Sequence, residues 1–382
     1  MSDFQEYFDP NHQLIRDAVR RFVEREILPF VDEWEEAEGF PRELYLKAGA
    51  AGILGMGYPE ALGGNHEGDV FAKVAASEEL MRCGSSGLVA GLGSLDIGLP
   101  PVVKWGQPAL RERVAPQVLS GEKIMALAIT EPGGGSDVAN LQTRAVRDGD
   151  CYRVSGSKTF ITSGIRADFY TVAVRTGEPG FAGISLLLIE KGTPGFSVGR
   201  QLKKMGWWAS DTAELFFEDC RVPMANLIGA ENMGFACIMG NFQNERLALA
   251  LMANMTSQLA LEQSLSWARQ REAFGKPIGK FQVLKHRLAE MATQLEVSRE
   301  FTYRQAAKMA AGQSVIKEIS MAKNFATDTA DRITYDAVQI LGGSGYMRDS
   351  LVERLYRDNR ILSIGGGTRE VMNEIIAKQM GL

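Results

Sequence analysis

The spacing of apolar positions changes twice along the chain. Up to about Lys123 it is helical. Leu14, Ile15, Ala18, Val19, Phe22 and Val23 recur as adjacent pairs every four residues, behind an Asp9-Pro10 pair that offers an N-cap and a first-turn proline. Gly39, the Gly63-Gly64 pair and the Pro100-Pro101 pair punctuate further helical stretches. From about Ile124 to Asn232 the period shortens. The run LQTRAVRDGDCYRVSG alternates around Asp148-Gly149, a hairpin signal, and FYTVAVRT, GISLLLIEK and AELFFEDCRV are further strand segments. Short strands at this spacing predict an antiparallel sheet or small barrel. No intervening helix is long enough for parallel crossovers, which disfavours a doubly wound dinucleotide fold. From Met233 onward RLALALMANMTSQLALEQSLSWARQR, LKHRLAEMATQLEVSREFTYRQAAKMA and KEISMAKNFATDTADRITYDAVQIL return to a 3.6-residue period. With a C-terminal helix after Gly367 they predict an up-down four-helix bundle, whose Met and aromatic positions read as core.

The pattern therefore divides an α+β multidomain chain into three: an N-terminal α-helical domain (1–123), a middle antiparallel β-barrel or sheet domain (124–232) and a C-terminal four-helix bundle (233–382). The 382 residues suit that number, at about 150 per domain. Apolar residues are 45% of the chain and charged residues 23%, ordinary for a globular enzyme and wrong for a disordered tail. Basic residues number 42 against 47 acidic, so the net charge of −5 argues against a nucleic-acid binder held by a basic surface.

Cys83, Cys151, Cys220 and Cys237 are widely spaced, with no CxxC pair, and read as reduced thiols. His12, His66 and His286 do not fall at i,i+3 or i,i+4, so no metal site is expected, and the chemistry falls to carboxylates or a bound cofactor. No uninterrupted run of about 18 apolar residues is present to span a membrane. The N-terminus, MSDFQEYFDP, has neither a signal-peptide core nor a transit-peptide bias, and the expected location is cytoplasmic.

Glycine-rich motifs carry the remaining signal. GxGxxG and GxxxxGK[ST] are both missing, and GSKT at Gly156 resembles only the end of a phosphate loop. TEPGGGSD (130–137), ILGGSG (340–345) and IGGGT (364–368) each expose backbone N–H groups where a side chain would block an anion or a planar ring. The last opens a helix whose N-terminus favours a phosphate or carbonyl oxygen. The small residues from Ser85 to Gly98 read either as close backbone packing or as a cavity wall.

Taken in order, TEPGGGSD, SGSKTFITSG, RQREAFGKPIGKFQ, AVQILGGSGYM and IGGGT resemble the acyl-CoA dehydrogenase family, and the resemblance covers essentially the whole chain. It implies FAD as cofactor, an acyl-CoA thioester as substrate, electron-transfer flavoprotein as acceptor and a homotetramer built from two dimers. The reaction joins removal of an α-proton to hydride transfer from Cβ, which needs a carboxylate, hydrogen bonds on the thioester oxygen and exclusion of water.

Many members carry the base in a YEGT-like motif near the C-terminus. Here the tetrad is Gly365-Gly366-Gly367-Thr368, so Gly366 stands at the glutamate position. A subgroup including isovaleryl-CoA and long-chain acyl-CoA dehydrogenases instead places the base early in the bundle's first helix, in a motif similar to Glu245-Arg246-Leu247. The resemblance makes Glu245 the catalytic residue and leaves Gly366 to polarise the thioester through its backbone N–H.

For the flavin it implies contacts from Leu127, Ile129, Thr130, Gly135 and Ser136 on one side and Phe160, Ile161 and Thr162 on the other. Leu127 and Phe160 replace a tyrosine and a tryptophan of some relatives. Arg271, Phe274, Gln282, Gln339, Gly342 and Gly343 would grip the ADP half from the partner subunit, completed by Thr368 and Glu370. The acyl-CoA would pass Ser136, Gln243, Asn244, Arg246 and Gly367 and end among the small residues of 87–98. Glycines at 365 and 366 leave room for a branched, medium or long chain. Two alternatives remain: a non-catalytic flavin- or acyl-CoA-binding relative, and an oxidase using oxygen, which usually carries a further C-terminal domain.

Overall fold

The computed structural model describes residues 4–382; Met1–Asp3, part of the acidic N-terminus, lie outside the described residues. Helices come first: α1 (Pro10–Glu26), α2 (Val31–Glu36), α3 (Glu43–Ala50), α4 (Val70–Met81), α5 (Ser86–Leu92), α6 (Leu95–Trp105) and α7 (Pro108–Leu119). The Asp9 cap forms as expected. Its carboxylate accepts from His12 N at 3.0 Å while the His12 ring accepts from Asp9 N at 2.9 Å, with Pro10 in the first turn. The far side of the same ring meets Asp69, the N-cap of α4, at 3.0 Å, so one buried histidine ties two helix starts together. Only one residue of most apolar pairs in α1 reaches the core. Ile15, Val19, Phe22 and Val23 are buried, whereas Leu14 is 66% exposed and Ala18 faces solvent, because each pair spans 100° of a helix with a single neighbour.

Pro100 and Pro101 do not separate helices; both lie inside α6. Pro101 has no N–H for the carbonyl of Ile97 one turn back, and that carbonyl accepts instead from Asn241 Nδ2 at 3.1 Å. The segment Ser86–Trp105 is long and apolar enough, at mean hydropathy 1.3, to meet a membrane-span criterion. It is folded as α5 and α6 and is mostly buried within the protein.

Next come β1 (Met125–Ala128), β2 (Arg144–Asp148), β3 (Cys151–Thr162), β4 (Phe169–Arg175), β5 (Ile184–Glu190), β6 (Phe196–Gln201), β7 (Thr212–Pro223) and β8 (Leu227–Ile228). They form one sheet ordered β6-β7-β3-β2-β4-β5-β8, with β1 added beside β4. The Asp148-Gly149 hairpin is present, Gly149 at φ +63°. The sheet is not purely antiparallel. β4 pairs in parallel with β1 over four residues and meets β2 in parallel at Arg144–Arg175. The whole β2–β3 hairpin intervenes between β1 and β4, which gives the chain the length to return in parallel without a helix. β4 and β5 are buried along nearly their entire length, since α6 covers the sheet and Thr171 Oγ1 donates to Gly98 O at 2.8 Å.

The last part holds α8 (Gly234–Gln270), a short hairpin β9–β10 (Glu272–Ala273, Lys276–Pro277), α9 (Gln282–Ala310), α10 (Ile316–Leu341), α11 (Gly343–Tyr346), α12 (Leu351–Asn359) and α13 (Arg369–Gln379). α8, α9 and α10 run up, down and up, and α13 packs along α10. The first turns of α8 project beyond this bundle: Gly234 lies against Ser185 of β5 and Gly240 against Trp105 of α6. α12 has no counterpart in the sequence reading. It packs on α8 and α10 with Arg354, Arg357, Asp358 and Asn359 buried beside Val352 and Leu355, and charged inward positions hide its apolar stripe.

Candidate active site

Where α8 leaves the bundle, Glu245 faces the turn that precedes α13. Gly366 and Gly367 both have left-handed backbones, at φ +61° and +96°, before Thr368 caps α13 by accepting from Val371 N. A β-carbon on Gly366 would stand 2.5 Å from Leu249 Cδ1 and 3.3 Å from Glu245 Oε1. The missing side chain is thus the space in which the Glu245 carboxylate and Leu249 meet. Glu245 Oε2 is buried with no hydrogen-bond partner, and the N–H of Gly366 donates to no group among the described residues. Burial pushes the Glu245 carboxyl above its ordinary range, opposed by the nearby charges of Lys323 and Arg246. A half-buried glutamate with one buried, unpartnered carboxylate oxygen and a raised pKa, beside an unused N–H, is the arrangement expected of a general base next to an oxyanion donor.

Two cations flank this carboxylate. Arg246 is 5% exposed, holds its guanidinium 5.7 Å over the Phe242 ring and leaves Nε buried and unpartnered. Lys323, on α10, is fully buried and donates to Gly365 O at 2.7 Å and to Gly367 O. Burial lowers its pKa to about 8, with Glu245 acting in the opposite direction. Of the other substrate-side residues, Gln243 is half-buried, Asn244 is exposed and Gly367 lies in the turn itself.

The middle domain supplies a second locus. The end of β1 and the end of β3 run together, with Thr159 N donating to Thr130 O at 2.9 Å and Lys158 Nζ donating to Ile129 O at 2.9 Å and Glu131 Oε1 at 2.8 Å. Glu131 also accepts from Gln142 N and Thr143 N. Burial would raise its pKa, yet Lys158 and these bonds hold it below the usual range. GSKT is therefore no phosphate loop: it is the interior of β3, and its lysine anchors the TEPGGGSD loop. Around this junction Leu127, Ile129, Thr130 and Thr162 are half-buried and Gly135 and Ser136 are exposed, while Ile161 is buried. Phe160 is 68% exposed on a left-handed backbone at φ +58°, where the β3–β7 register slips. A strained strand end that holds an aromatic ring in solvent points to a surface meant to be covered.

The remaining predicted residues gather elsewhere. Arg271, Phe274, Gln282, Gln339, Gly342 and Gly343 lie where α8 ends, α9 begins and α10 ends. Phe274 is 95% exposed, at φ +53° in the tip of the β9–β10 hairpin. At about 1.5 Å per residue of helix, this end of α8 lies roughly 39 Å from Glu245. One chain does not bring these residues to the Glu245 site. Thr368 and Glu370 instead line a cleft of about 830 Å³ with Met205, Tyr335, Arg360 and Ile364. The glycines of 85–98 act mainly as close-packing residues: a β-carbon would press Gly87 onto Trp207, Gly91 onto Phe40 and Gly98 onto Met125 and Ala126.

Sequence reasoning passed over Lys323, Leu249 and Trp207. Lys323 interrupts the buried stripe Ile319–Ala322–Ala326–Ala330 of α10, and a lysine in an apolar stripe was the available signal. Trp207, in the β6–β7 loop, packs beside Leu249 and Leu362 and donates from its backbone to Asp358 and from its indole to Ser86. That three-domain junction has no local sequence signature.

The comparisons agree along the whole chain. Residues 9–122, 126–220 and 232–381 match the acyl-CoA dehydrogenase N-terminal, middle and C-terminal domain families. An acyl-CoA dehydrogenase of Bacillus subtilis is 39% identical over 96% of this chain and 97% of its own. The mitochondrial long-chain specific acyl-CoA dehydrogenase of Rattus norvegicus is 38% identical over 98% of this chain and 87% of its own. The crystal structure of a probable acyl-CoA dehydrogenase from Mycobacterium abscessus superposes with a TM-score of 0.96 at 51% identity, over 98% of this chain and 100% of the other. The chain belongs to the acyl-CoA dehydrogenase family, FAD-dependent flavoprotein oxidoreductases that act on a CH–CH bond. The residues present fit such a group: the exposed Phe160 ring and the partly open Leu127 and Ile129 make an apolar shelf. No described residue takes up the hydroxyls of Thr130, Ser136 or Thr162, and nothing lies within 4 Å of the positions a β-carbon would occupy on Gly133 and Gly134.

Proposed function

Starting from that membership, we propose that Glu245 removes the α-proton of an acyl-CoA thioester, yielding the trans-2-enoyl-CoA. The reading is carried by the unpartnered Glu245 carboxylate, 3.3 Å from the missing β-carbon of Gly366. The Gly366 N–H holds the thioester oxygen and stabilises the charge that develops there as the proton leaves. Burial keeps Glu245 a stronger base than an exposed carboxylate, while Lys323 and Arg246 keep enough of it ionised. Bound FAD supplies the acceptor for the hydride from Cβ.

Leu127, Ile129, Thr130, Gly135, Ser136, Phe160, Ile161 and Thr162 would hold the flavin end of the cofactor, and Thr368 and Glu370 would complete the site. Arg271, Phe274, Gln282, Gln339, Gly342 and Gly343 hold its ADP half in the neighbouring subunit, which is why they stand so far from Glu245 in their own chain. The active form is accordingly a homotetramer of two dimers. Ser136, Gln243, Asn244, Arg246 and Gly367 line the thioester's path, the substrate is a branched, medium or long acyl chain, and the electrons pass on to electron-transfer flavoprotein. A cytoplasmic location agrees with four buried cysteines that form no disulfide.

The test is anaerobic bleaching of the visible flavin band by a panel of acyl-CoAs. Wild type bleaches with at least one thioester, and Glu245→Gln loses about 10²–10⁴-fold in rate while keeping its flavin. Equal bleaching by both proteins would move the base elsewhere.

A further inference from the structure

Lys323 is a buried ammonium without a carboxylate partner. None of the salt bridges among the described residues includes it, and both of its hydrogen bonds go to main-chain carbonyls of the glycine turn, Gly365 O and Gly367 O. Burying a charge merely to satisfy two carbonyls is a costly solution, since a neutral donor would serve. The turn has little else to fix it. Gly365, Gly366 and Gly367 have no side chains, two of the three are left-handed, and neither Gly366 nor Gly367 donates a hydrogen bond from its backbone. Glycine in such a stretch is the most freely moving backbone available.

The carbonyl of Gly365 and the N–H of Gly366 belong to one peptide group. Fixing the first fixes the direction of the second, and placing a positive charge on the oxygen draws electron density away from the nitrogen. An N–H whose own carbonyl is held by an ammonium is a stronger donor. We propose that Lys323 is a positioning residue for the reaction, clamping the Gly365–Gly367 turn and polarising the peptide whose N–H receives the thioester oxygen. The inference rests on the roles given above to Glu245 and Gly366. The charged groups facing the ammonium are Glu245 and Arg246 from α8 and Arg369 from α13, and Glu245 alone among them attracts it. The same cation therefore stabilises both the ionised base and, through the peptide, the oxyanion.

The test uses the flavin-loaded enzyme and its variants with trans-2-enoyl-CoA carrying ¹³C at the thioester carbonyl, its acyl chain matched to the best substrate. Infrared difference spectra read the carbonyl band, and stopped-flow bleaching reads flavin reduction. In wild type the band moves to lower wavenumber on binding. In Lys323→Met at least half of that shift is lost and flavin reduction slows by about 10- to 100-fold. The dissociation constant of the enoyl-CoA meanwhile changes by less than about threefold, a change of under about 0.7 kcal/mol. Lys323→Arg, which keeps the charge, recovers part of the shift. A full shift in Lys323→Met would overturn the inference and leave the dehydrogenase reading intact. A wild type that neither bleaches with any acyl-CoA nor shifts the band would overturn both. Should Lys323→Met melt without a cooperative transition, Lys323→Gln carries the same reading: a reduced shift supports the clamp, an undiminished one overturns it.

Discussion

Glu245 and Gly366 share one small volume: the carboxylate oxygen of the first lies 3.3 Å from where a side chain on the second would begin. A glutamate at 366 would collide with Leu249 and set a second carboxylate against the first, on a backbone that disfavours any side chain. The two positions thus compete for one volume, and in the proposed mechanism the base is the carboxylate on α8.

The pH dependence of the chemical step follows from the buried carboxylate. As the proposed base Glu245 would act only after losing its proton, and burial raises its pKa, so the rate of anaerobic flavin reduction is expected to rise with pH. The inflection lies above the ordinary carboxylate range. In Lys323→Met the same inflection moves further up, because a neighbouring positive charge has gone. Stopped-flow traces between pH 5 and 9 check both; a flat wild-type profile would remove Glu245 as the titrating base.

Gly366→Ala is expected to destabilise the fold by about 1–2 kcal/mol through its left-handed backbone, plus the contact with Leu249. Leu249→Ala removes that contact at its own cost of about 2–5 kcal/mol. The double variant should therefore lose less than the sum of the two singles, by about 0.5 kcal/mol or more, in urea titrations. Strict additivity would mean that the two side chains do not meet.

Removing one member of the Lys158–Glu131 pair strands the other. Lys158→Met is expected to cost about 3–5 kcal/mol and to speed release of the flavin, because the TEPGGGSD loop loses its anchor on β3. Adding Glu131→Gln to that variant should recover part of the loss in thermal melting, since no uncompensated carboxylate then remains buried. No recovery would show that the lysine serves the strand rather than the pair.

Asp358, at the junction of all three domains, couples stability to pH. Burial, with Glu35 adding to it, raises its pKa to about 7. The folded protein thus takes up a proton that the unfolded chain lacks near neutrality. The contribution is present at low pH and is lost as pH rises through about 7, with a slope of at most about 1.4 kcal/mol per pH unit. Asp358→Asn should flatten that decline in melting temperature between about pH 4 and 7, the span over which the unfolded chain has lost the proton and the folded protein still holds it; an unchanged slope would assign it to another group.

Local pattern made much of this legible. The cap at Asp9, the hairpin at Asp148-Gly149 and the strands β3, β4, β5 and β7 are written in short-range chemistry and formed where read. The short strands β1, β6 and β8 have no counterpart in the sequence reading, and α8 begins twelve residues before the helical segment read from Arg246. Pro100-Pro101 misled because the signal of a helix break is local while its remedy, Asn241, comes from another domain. The adjacent pairs of α1 misled for a related reason: which member of a pair turns inward depends on what packs there. α12 escaped because its buried face carries charge that partners distant in sequence make tolerable, among them Asp32, Glu35, Ser86, Trp207 and Trp208.

For the site, the glycine loops were legible from residue type alone, whereas the carboxylate at 245 and the vacancy at 366 became candidates only through the resemblance of the ordered motifs to a family. What it did not determine is where they stand. That α8 overshoots its bundle to carry Glu245 to the turn before α13, that Lys323 reaches the same turn from α10, and that the far end of α8, with Arg271, stays roughly 39 Å away were decided by tertiary packing. Spacing along a chain fixes period and caps, whereas the meeting of residues distant in sequence depends on how whole helices cross, and no local pattern encodes that angle.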